Sequence, residues 1–246
     1  MIFLLIFAVG IIAGFINTLA GGGSTLVLPV LILAGLQSPV ANATNRIAIL
    51  FQNATATKKF HEHKVLTIQP IIHITIAAII GAVVGSFFAI KIESALFDKI
   101  LGIVFIFILF MMLSPKQKKK SRALPKWLEF IIFLAVGFYG GFIQAGVGFV
   151  FLATLNLVDD YNLLKANAIK VFMVLSYTIF SVIIFAISGK ILWLHGLVLA
   201  CRNSIGAYIG VKTAISGGEK IIKIVITIAI LIACLKLFGV FKLIGI

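Results

Sequence analysis

The sequence is poor in acidic residues. Only 7 of its 246 residues are Asp or Glu, against 21 Lys and Arg, and charged residues make up 11% of the chain. A soluble domain carries about a quarter charged residues, so this composition excludes an ordinary soluble protein. Hydrophobic residues make up 62% and the mean hydropathy is +1.22. These values indicate a polytopic helical membrane protein, because apolar runs near twenty residues are typical of membrane-spanning helices.

Signatures of catalysis and of nucleotide binding are also missing. A phosphate-binding loop needs a Lys after its glycines, and none follows the glycines at 21–23. No predicted helix carries a pair of nucleophile and base. Cys201 and Cys234 lie in apolar segments and lack the spacing of metal ligands. We therefore expect no enzyme activity, no cofactor and no metal site.

The net charge of +14 is not read as a nucleic-acid signature. The cations lie mostly in short connections between apolar runs, where cytoplasmic loops of membrane proteins collect Lys and Arg. Anionic membrane lipid attracts them there, so no nucleic-acid partner is expected. Residues 1–19 contain no basic residue and so lack the positive region of a signal peptide. We keep this segment in the predicted fold.

Apolar runs predict about eight membrane segments. They fall at residues 1–35, 41–57, 66–90, 94–113, 127–157, 163–188, 191–211 and 219–240. The first is too long for one upright crossing, because 35 helical residues measure roughly 50 Å and the hydrocarbon core is about 30 Å thick. The fifth poses the same problem. Glycines interrupt both runs, so each must bend, tilt or turn back inside the membrane.

The two halves of the chain resemble each other. The matches are Gly14-Phe15-Ile16-Asn17 with Gly141-Phe142-Ile143-Gln144, Ala41-Asn42-Ala43 with Ala166-Asn167-Ala168, and residues 81–85 with 206–210. The sequence thus predicts an all-α polytopic membrane protein of two four-segment repeats, residues 1–114 and 126–246, joined by a basic linker at 115–125. Paired repeats with a Gly-interrupted segment point to the binding site of a secondary transporter. The glycines of the last match favour close helix packing.

Loop charge gives an orientation. If each broken run crosses the membrane once, most loop cations lie on one side, which places the linker and both termini in the cytoplasm. If the broken runs are re-entrant, the repeats become inverted. The sequence leaves both arrangements open.

Three cations, Arg46, Lys170 and Arg202, lie within predicted spans, and no Asp or Glu lies deep inside any span. Intramembrane charge normally faces a cavity, a partner or a ligand, so an anionic ligand is favoured. Snorkelling to the interface is the alternative for the first two. On a helical wheel, Arg46 shares a stripe with Asn42, Asn45, Gln52 and Asn53, and Lys170 with Asn167, Tyr177, Thr178 and Ser181. Helix–helix hydrogen bonding is an alternative use of such stripes.

The glycine breaks supply the remaining candidates. Ser24 stands where a helix restarts, and a helix start presents free amides and a positive dipole end to an oxyanion. Asn17 and Gln144 precede the two breaks as amide donors. The predicted substrate-binding set is Asn17, Gly21, Gly22, Gly23, Ser24, Asn42, Asn45, Arg46, Gln144, Gly146, Gly148, Asn167, Lys170 and Arg202.

These motifs resemble the TauE/SafE family of sulfite exporter-like membrane proteins. The resemblance rests on Gly14-Phe15-Ile16-Asn17, on Ala20-Gly21-Gly22-Gly23-Ser24 followed by Leu28-Pro29, on Ala41-Asn42-Ala43-Thr44-Asn45, and on Gly137-Phe138-Tyr139-Gly140-Gly141. It implies a two-repeat protein of the cytoplasmic membrane that exports sulfite, sulfonates or related anions. The second repeat departs from the first, with Ala145-Gly146-Val147-Gly148 in place of the glycine triplet. The two breaks are therefore not expected to contribute equally.

The resulting hypothesis is a secondary transporter, with a small anionic substrate and membrane lipid as its partners. A passive anion channel and a non-transporting accessory subunit of the membrane are the alternatives. A coupled carrier accumulates its ligand along a gradient, whereas a channel only dissipates gradients. The oligomeric state stays open, with a homo-oligomer among the possibilities.

Overall fold

The computed structural model describes residues 2–113, 124–158 and 161–237. Over these residues the chain is helical and contains no strand, which confirms the all-α prediction. The helices are α1 (Ile2–Leu19), α2 (Ser24–Leu33), α3 (Ser38–Glu62), α4 (Ile72–Lys91), α5 (Ser94–Leu113), α6 (Lys126–Phe142), α7 (Val147–Val158), α8 (Leu163–Ile187) and α9 (Trp193–Leu237). A 3₁₀ turn, Gln69–Ile71, leads into α4. Most of the linker at 115–125 lies outside the described residues.

Helix lengths separate crossing segments from shorter ones. Two of the described segments, Gln69–Lys91 and Leu163–Ile187, are long and apolar enough to cross a membrane, with mean hydropathies of 2.3 and 2.2. By contrast, α2 has 10 residues and α7 has 12. They measure about 15 and 18 Å, roughly half the thickness of a hydrocarbon core. Neither α2 nor α7 can cross a membrane by itself.

Each glycine break turns the chain back on itself. Gly23, just before α2, lies against the carbonyl group of Ala13 in α1, more than one turn before α1 ends. The rings of Phe133 in α6 and Phe151 in α7 have centroids 6.1 Å apart, although Phe133 lies more than two turns before its break. We call α1 with α2 the first hairpin and α6 with α7 the second hairpin. The broken runs are therefore re-entrant in shape, and neither is a single kinked helix.

Helix α4 packs against α6 through glycines. A Cβ built on Gly81 would overlap the carbonyl oxygen of Leu134, and one built on Gly85 would overlap that of Phe138. Because the residue numbers rise together along both helices, α4 and α6 run parallel. Such a close approach is possible only without a side chain at these positions. This is the packing predicted for the two glycines.

Helix α9 packs against α1 in the same way. Gly206 meets the carbonyl oxygen of Ile11, as Gly85 meets that of Phe138. Ile11 and Phe138 hold equivalent places in the matched segments of the two halves. By its contact, Gly206 is thus the counterpart of Gly85. The sequence match aligns Gly206 with Gly81, so the structural equivalence differs from that alignment by one helical turn, about four residues.

Helices α3 and α8 lie at the centre of the bundle. α3 packs against both α8 and α9, and α8 packs against α4. The backbone N–H of Leu192 donates to Thr44 Oγ1 (3.1 Å), and Asn203 Nδ2 donates to Gln52 Oε1 (3.2 Å). These contacts show that α9 runs parallel to α3. Because Leu192 follows α8 directly, α8 ends beside the start of α3, so α3 and α8 run in opposite directions.

The described parts of the last two predicted spans, at 191–211 and 219–240, lie almost entirely in one helix, α9 (Trp193–Leu237). α9 has 45 residues, a length of about 68 Å, and the separation expected between residues 211 and 219 is not found. The connecting residues include glycine but no proline. Glycine costs a helix only about 1 kcal/mol, whereas proline costs about 3 kcal/mol, so this stretch continues as a helix.

The polar stripes predicted on α3 and α8 face the interior. Their members are at most 2% exposed: Asn42, Asn45, Arg46, Gln52, Asn53, Asn167, Lys170, Tyr177, Thr178 and Ser181. The exposed surface is instead apolar, with Ile76, Ile80 and Phe88 of α4 each between 45% and 60% exposed. This distribution, apolar outside and polar inside, suits a bundle surrounded by lipid.

Candidate functional site

The two glycine breaks meet at the centre of the bundle. A Cβ built on Gly21 would overlap the Cα of Gly148, and one built on Gly148 would overlap the Cα of Gly21. The two backbones are therefore in direct contact. Gly21 has φ +85° and Gly146 has φ +68°, backbone angles that glycine adopts without the penalty other residues pay. The two breaks that the sequence singled out form one region.

An asparagine from each half holds the break of the other half. Asn42 of α3 donates to the carbonyl of Phe142 (3.0 Å) and accepts from the backbone N–H of Gln144 (3.3 Å). Asn167 of α8 donates to the carbonyl of Leu19 (2.9 Å). Backbone groups released by the breaks thus find partners away from water, which irregular backbone at membrane depth requires.

Lys170 of α8 binds the end of α1. Its Nζ donates to the carbonyl oxygens of Asn17 (3.0 Å) and Thr18 (2.9 Å) and to Asn167 Oδ1 (2.7 Å). The side chain is 2% exposed, so these bonds form out of contact with water. Asn17 and Thr18 belong to the last turn of α1, where the helix dipole is negative and a cation is favourable.

Arg46 of α3 binds the end of α6. Its guanidinium donates to the carbonyl oxygens of Gly140 (2.8 Å) and Gly141 (2.6 Å) and to Gln144 Oε1 (3.0 Å). It is completely buried and lies over the ring of Phe185, 5.1 Å from the ring centroid. Arg46 therefore neutralises the negative end of α6 as Lys170 neutralises that of α1. Both cations bind oxygen atoms of the opposite half of the chain.

The first break is further fixed from within its own half. Asn17 Oδ1 accepts from the backbone N–H of Gly23 (3.2 Å), and Asn45 Nδ2 donates to Ser24 Oγ (3.1 Å). Thr25 Oγ1 donates to the carbonyl of Gly22 (2.6 Å). α2 begins at Ser24, where the sequence predicted that a helix restarts.

The second break is held by two tyrosines. Tyr139 donates its hydroxyl to the carbonyl of Ala145. The hydroxyl of Tyr177, on α8, accepts from Gln144 Nε2 (3.1 Å). Gln144 therefore bridges Arg46 and Tyr177. The second break carries this hydrogen-bonded cluster where the first has a glycine triplet, so the two breaks differ in chemistry.

Comparison with known proteins agrees with these features. The family model described as Sulfite exporter TauE/SafE matches residues 6–237, which include both glycine breaks and both polar helices. The chain belongs to this family. TauE/SafE membership makes it a membrane transporter and not an enzyme.

Curated relatives of this TauE/SafE protein carry similar names. A "Probable membrane transporter protein" of Haemophilus influenzae is 27% identical over 228 residues, covering 91% of this chain and 89% of the relative. The "Probable membrane transporter protein YfcA" of Escherichia coli strain K12 is 29% identical over 236 residues, covering 94% and 88%. No solved structure gives a significant match to this chain.

The TauE/SafE structure brings together all but one of the candidate site residues. Those at the breaks or hydrogen-bonded to them are Asn17, Gly21, Gly22, Gly23, Ser24, Asn42, Asn45, Arg46, Gln144, Gly146, Gly148, Asn167 and Lys170. Arg202 lies elsewhere, with its Cβ against Gly10 of α1. Gly10 precedes the end of α1 by more than two turns, so Arg202 does not join this cluster.

Two contributors were not among the candidate site residues. Tyr177 was visible on the polar stripe of α8, but its bond to Gln144 depends on how the second hairpin folds. Tyr139 lies in an apolar stretch next to Gly140 and Gly141, and nothing in the local pattern indicates its bond to Ala145. Both tyrosines act through hydrogen bonds to residues that become their neighbours only when the second hairpin folds.

Proposed function

We propose that this protein is a secondary transporter that exports a small oxyanion, such as sulfite or an organosulfonate, across the cytoplasmic membrane. The anion binds where the two breaks meet, between the two hairpins and the polar stripes of α3 and α8. The observation that carries this proposal is the contact between Gly21 and Gly148 beside two buried cations. Half-helix ends near the membrane midplane are where secondary transporters bind their substrates.

The charge of this region supports an anionic substrate. α1 and α6 end at the breaks with negative helix ends of roughly half an elementary charge each, which Lys170 and Arg46 offset. The positive starts of α2 and α7 are not offset, so the two cations and four helix ends together leave a net positive charge of about two. Four carboxylates have a described burial, Glu62, Glu93, Asp98 and Glu129, and none of these four is buried. A doubly charged oxyanion would balance the two cations, and the starts of α2 and α7 would offer it amide donors.

Burial of the polar groups supports a carrier over a passive channel. Asn42, Asn167 and Arg46 are completely buried, and Gln144 and Lys170 are 2% exposed. A conducting channel needs a path on which such groups meet water, whereas alternating access passes through a state in which the site is closed on both sides. We take the structure as this occluded state.

The hairpins also favour an inverted arrangement of the two repeats, residues 1–114 and 126–246, in which the second repeat has one helix, α9, where two segments were predicted. The first hairpin starts beside the start of α9, because Gly10 contacts Arg202. The second hairpin starts beside the start of α4, where His73 Nε2 and Glu129 Oε2 are 2.7 Å apart. These starts lie at opposite ends of the bundle. Inverted repeats around a central site are a common architecture of secondary transporters.

Loop charge orients this arrangement. Described cations at the end where α3 finishes and α4 and α6 begin are Lys58, Lys59, Lys64, Lys126, Lys165 and Lys212. Those at the opposite end are Lys91, Lys99 and Lys190. The positive-inside rule favours a cytoplasmic position for the first end, and the basic composition of the linker at 115–125 favours the same side for it. The start of α1 then lies on the outer side, which differs from the expectation that both termini are cytoplasmic.

Flux into proteoliposomes tests the proposal. Purified protein is reconstituted, and uptake of radiolabelled sulfite is followed with and without an imposed pH gradient and membrane potential. We expect uptake that accumulates sulfite against its own gradient, which a channel cannot do. Competition by taurine-derived sulfonates and by unlabelled sulfate then defines the substrate class.

Arg46→Ala and Lys170→Ala test the charge assignment in the same assay. Each removes a cation from the site and is expected to reduce sulfite flux at least tenfold. Unchanged flux in both variants would refute the role of these cations. A purified protein that neither binds nor moves an anion would instead favour the accessory-subunit hypothesis.

A further inference from the structure

Lys170 occupies a site made of oxygen atoms. Three acceptors surround its Nζ, namely the carbonyl oxygens of Asn17 and Thr18 and the side-chain oxygen of Asn167, at 2.7 to 3.0 Å. An ammonium group has three N–H donors and no acceptor, so these three oxygens match its hydrogen-bonding capacity. Two of the three are released at the C-terminal end of a half-helix.

The site around Arg46 has the same composition. Two carbonyl oxygens come from the last turn of α6, at Gly140 and Gly141, and the third oxygen is the side-chain amide oxygen of Gln144. In both hairpins, two backbone carbonyls at a helix end thus bind a cationic group, and an amide side chain supplies the third oxygen, Gln144 from the second break for Arg46 and Asn167 from α8 itself for Lys170. The cation always comes from the helix that follows the break of the opposite half, α3 or α8.

Carbonyls at half-helix C-terminal ends are also where many secondary transporters bind a coupling Na⁺ or H⁺. We propose that in this protein Lys170 and Arg46 are tethered replacements for such mobile cations. Their cationic groups bind the carbonyls at the ends of α1 and α6, so the closed site forms without a bound metal cation. This inference rests on the proposed transport function, and it adds that this transport does not require Na⁺.

Chemical rescue tests the replacement without any transport measurement. Lys170→Ala removes the ammonium and leaves the oxygens of Asn17, Thr18 and Asn167 without it. Ethylammonium is a primary ammonium that can donate to all three oxygens, whereas tetramethylammonium has the same charge and no N–H donor. We expect ethylammonium to raise the apparent melting temperature of purified Lys170→Ala by about 3 °C or more, and tetramethylammonium to leave it unchanged.

Lys190→Ala is the matched control. Lys190 also donates to a carbonyl at a helix end, that of Ile90 (2.7 Å), but it lies at the end of the bundle and forms this bond to a single carbonyl of α4. Its truncation should show no difference between the two ammonium ions, and wild-type protein should show none either. An equal response of Lys170→Ala and Lys190→Ala to ethylammonium would overturn the proposal.

Wild-type flux supplies a second measurement that does not depend on the variant folding. Sulfite uptake should be the same, within about twofold, when choline replaces sodium on both sides of the membrane. Uptake that requires sodium would overturn the proposal, because a mobile cation would then be needed at the site. The rescue experiment measures stability and needs no transport. Absence of sulfite flux would therefore contradict the proposed function, while the rescue result would still decide whether Lys170 replaces a mobile cation.

Discussion

Gly21 and Gly148 lie backbone against backbone, each in the space that a Cβ on the other would need. The two hairpins therefore touch through their breaks and not through side chains. Any opening of the central site has to separate these two backbones or slide one past the other. The contact makes both breaks sensitive to the addition of a single methyl group.

Gly148→Ala tests this contact. Gly148 lies in α7 and does not have a positive φ, so the cost of alanine there is steric and not conformational. We expect a loss of about 1 to 3 kcal/mol of stability, as for other overpacked interiors, together with loss of sulfite flux. The measurements are the apparent melting temperature in detergent and uptake in proteoliposomes.

Gly102→Ala is the control for this prediction. Nothing lies within 4 Å of a Cβ built on Gly102 in α5, and alanine is favoured over glycine in a helix by about 0.5 to 1 kcal/mol. Gly102→Ala should be neutral or slightly stabilising. If Gly148→Ala behaves in the same way, the two breaks do not touch.

A comparison of two arginines tests which cation belongs to the site. Arg46 binds three oxygens of the second hairpin, whereas Arg202, on α9, lies beside Gly10 of α1. Removing a charged hydrogen-bonding partner costs about 1.5 to 3 kcal/mol, and each 1.36 kcal/mol is tenfold in rate. We therefore expect Arg46→Ala to reduce flux at least tenfold and Arg202→Ala to reduce it less than about twofold. Equal losses would contradict this assignment.

Arg46→Lys refines the comparison. Lysine keeps the positive charge but lacks the planar fork with which the guanidinium reaches Gly140, Gly141 and Gln144 at once. Flux should be intermediate between wild type and Arg46→Ala. Full activity in Arg46→Lys would show that only the charge matters at this position.

Much of the site was predictable because its signals are local. Three consecutive glycines separate α1 from α2, so the restart at Ser24 could be predicted from the local sequence. The inward stripe of α3, with Asn42 and Arg46, follows from helical periodicity alone. Close packing at Gly81 also follows from the residue type. Each of these depends on neighbours within a few turns of the same helix.

The remaining features depend on contacts between distant parts of the chain. Whether the chain bends or reverses after Gly21 is decided by what packs on it, and the sequence left both open. The sequence alone favours an anionic ligand for Lys170, because the backbone carbonyls that bind its ammonium at the end of α1 leave no trace in the sequence. Arg202 shares with Arg46 and Lys170 a place inside a predicted span, and only the packing of α9 beside Gly10 separates it from their cluster. The match of Gly206 with Gly81 is off by one turn for the same reason, since a shift of one turn keeps every residue on the same helix face.

Cysteine labelling tests the inverted arrangement. In a background with Cys201→Ser and Cys234→Ser, Ser188→Cys places a thiol in the turn after α8, and His63→Cys places one after α3. Re-entrant hairpins put Ser188 on the outer side and His63 in the cytoplasm. An impermeant maleimide added to intact cells should label Ser188→Cys and leave His63→Cys unmodified. If each broken run crossed once, Ser188 would be cytoplasmic and neither would be labelled.

The bond between Gln144 and Tyr177 gives a prediction about substrate affinity. Tyr177→Phe removes the hydroxyl that accepts from Gln144 Nε2 (3.1 Å), and a buried donor left without its partner costs about 1 to 3 kcal/mol. Gln144 would then turn away from the position that supports Arg46 at the second break. We expect the KM for sulfite to rise about threefold to tenfold, with a smaller change in maximal rate. Tyr208→Phe is the control, because Tyr208 is 47% exposed and its ring stays available to the Lys59 ammonium 5.3 Å away. A rise in KM confined to Tyr177→Phe would show that the second break contacts the substrate through Gln144, and equal kinetics in both variants would exclude it.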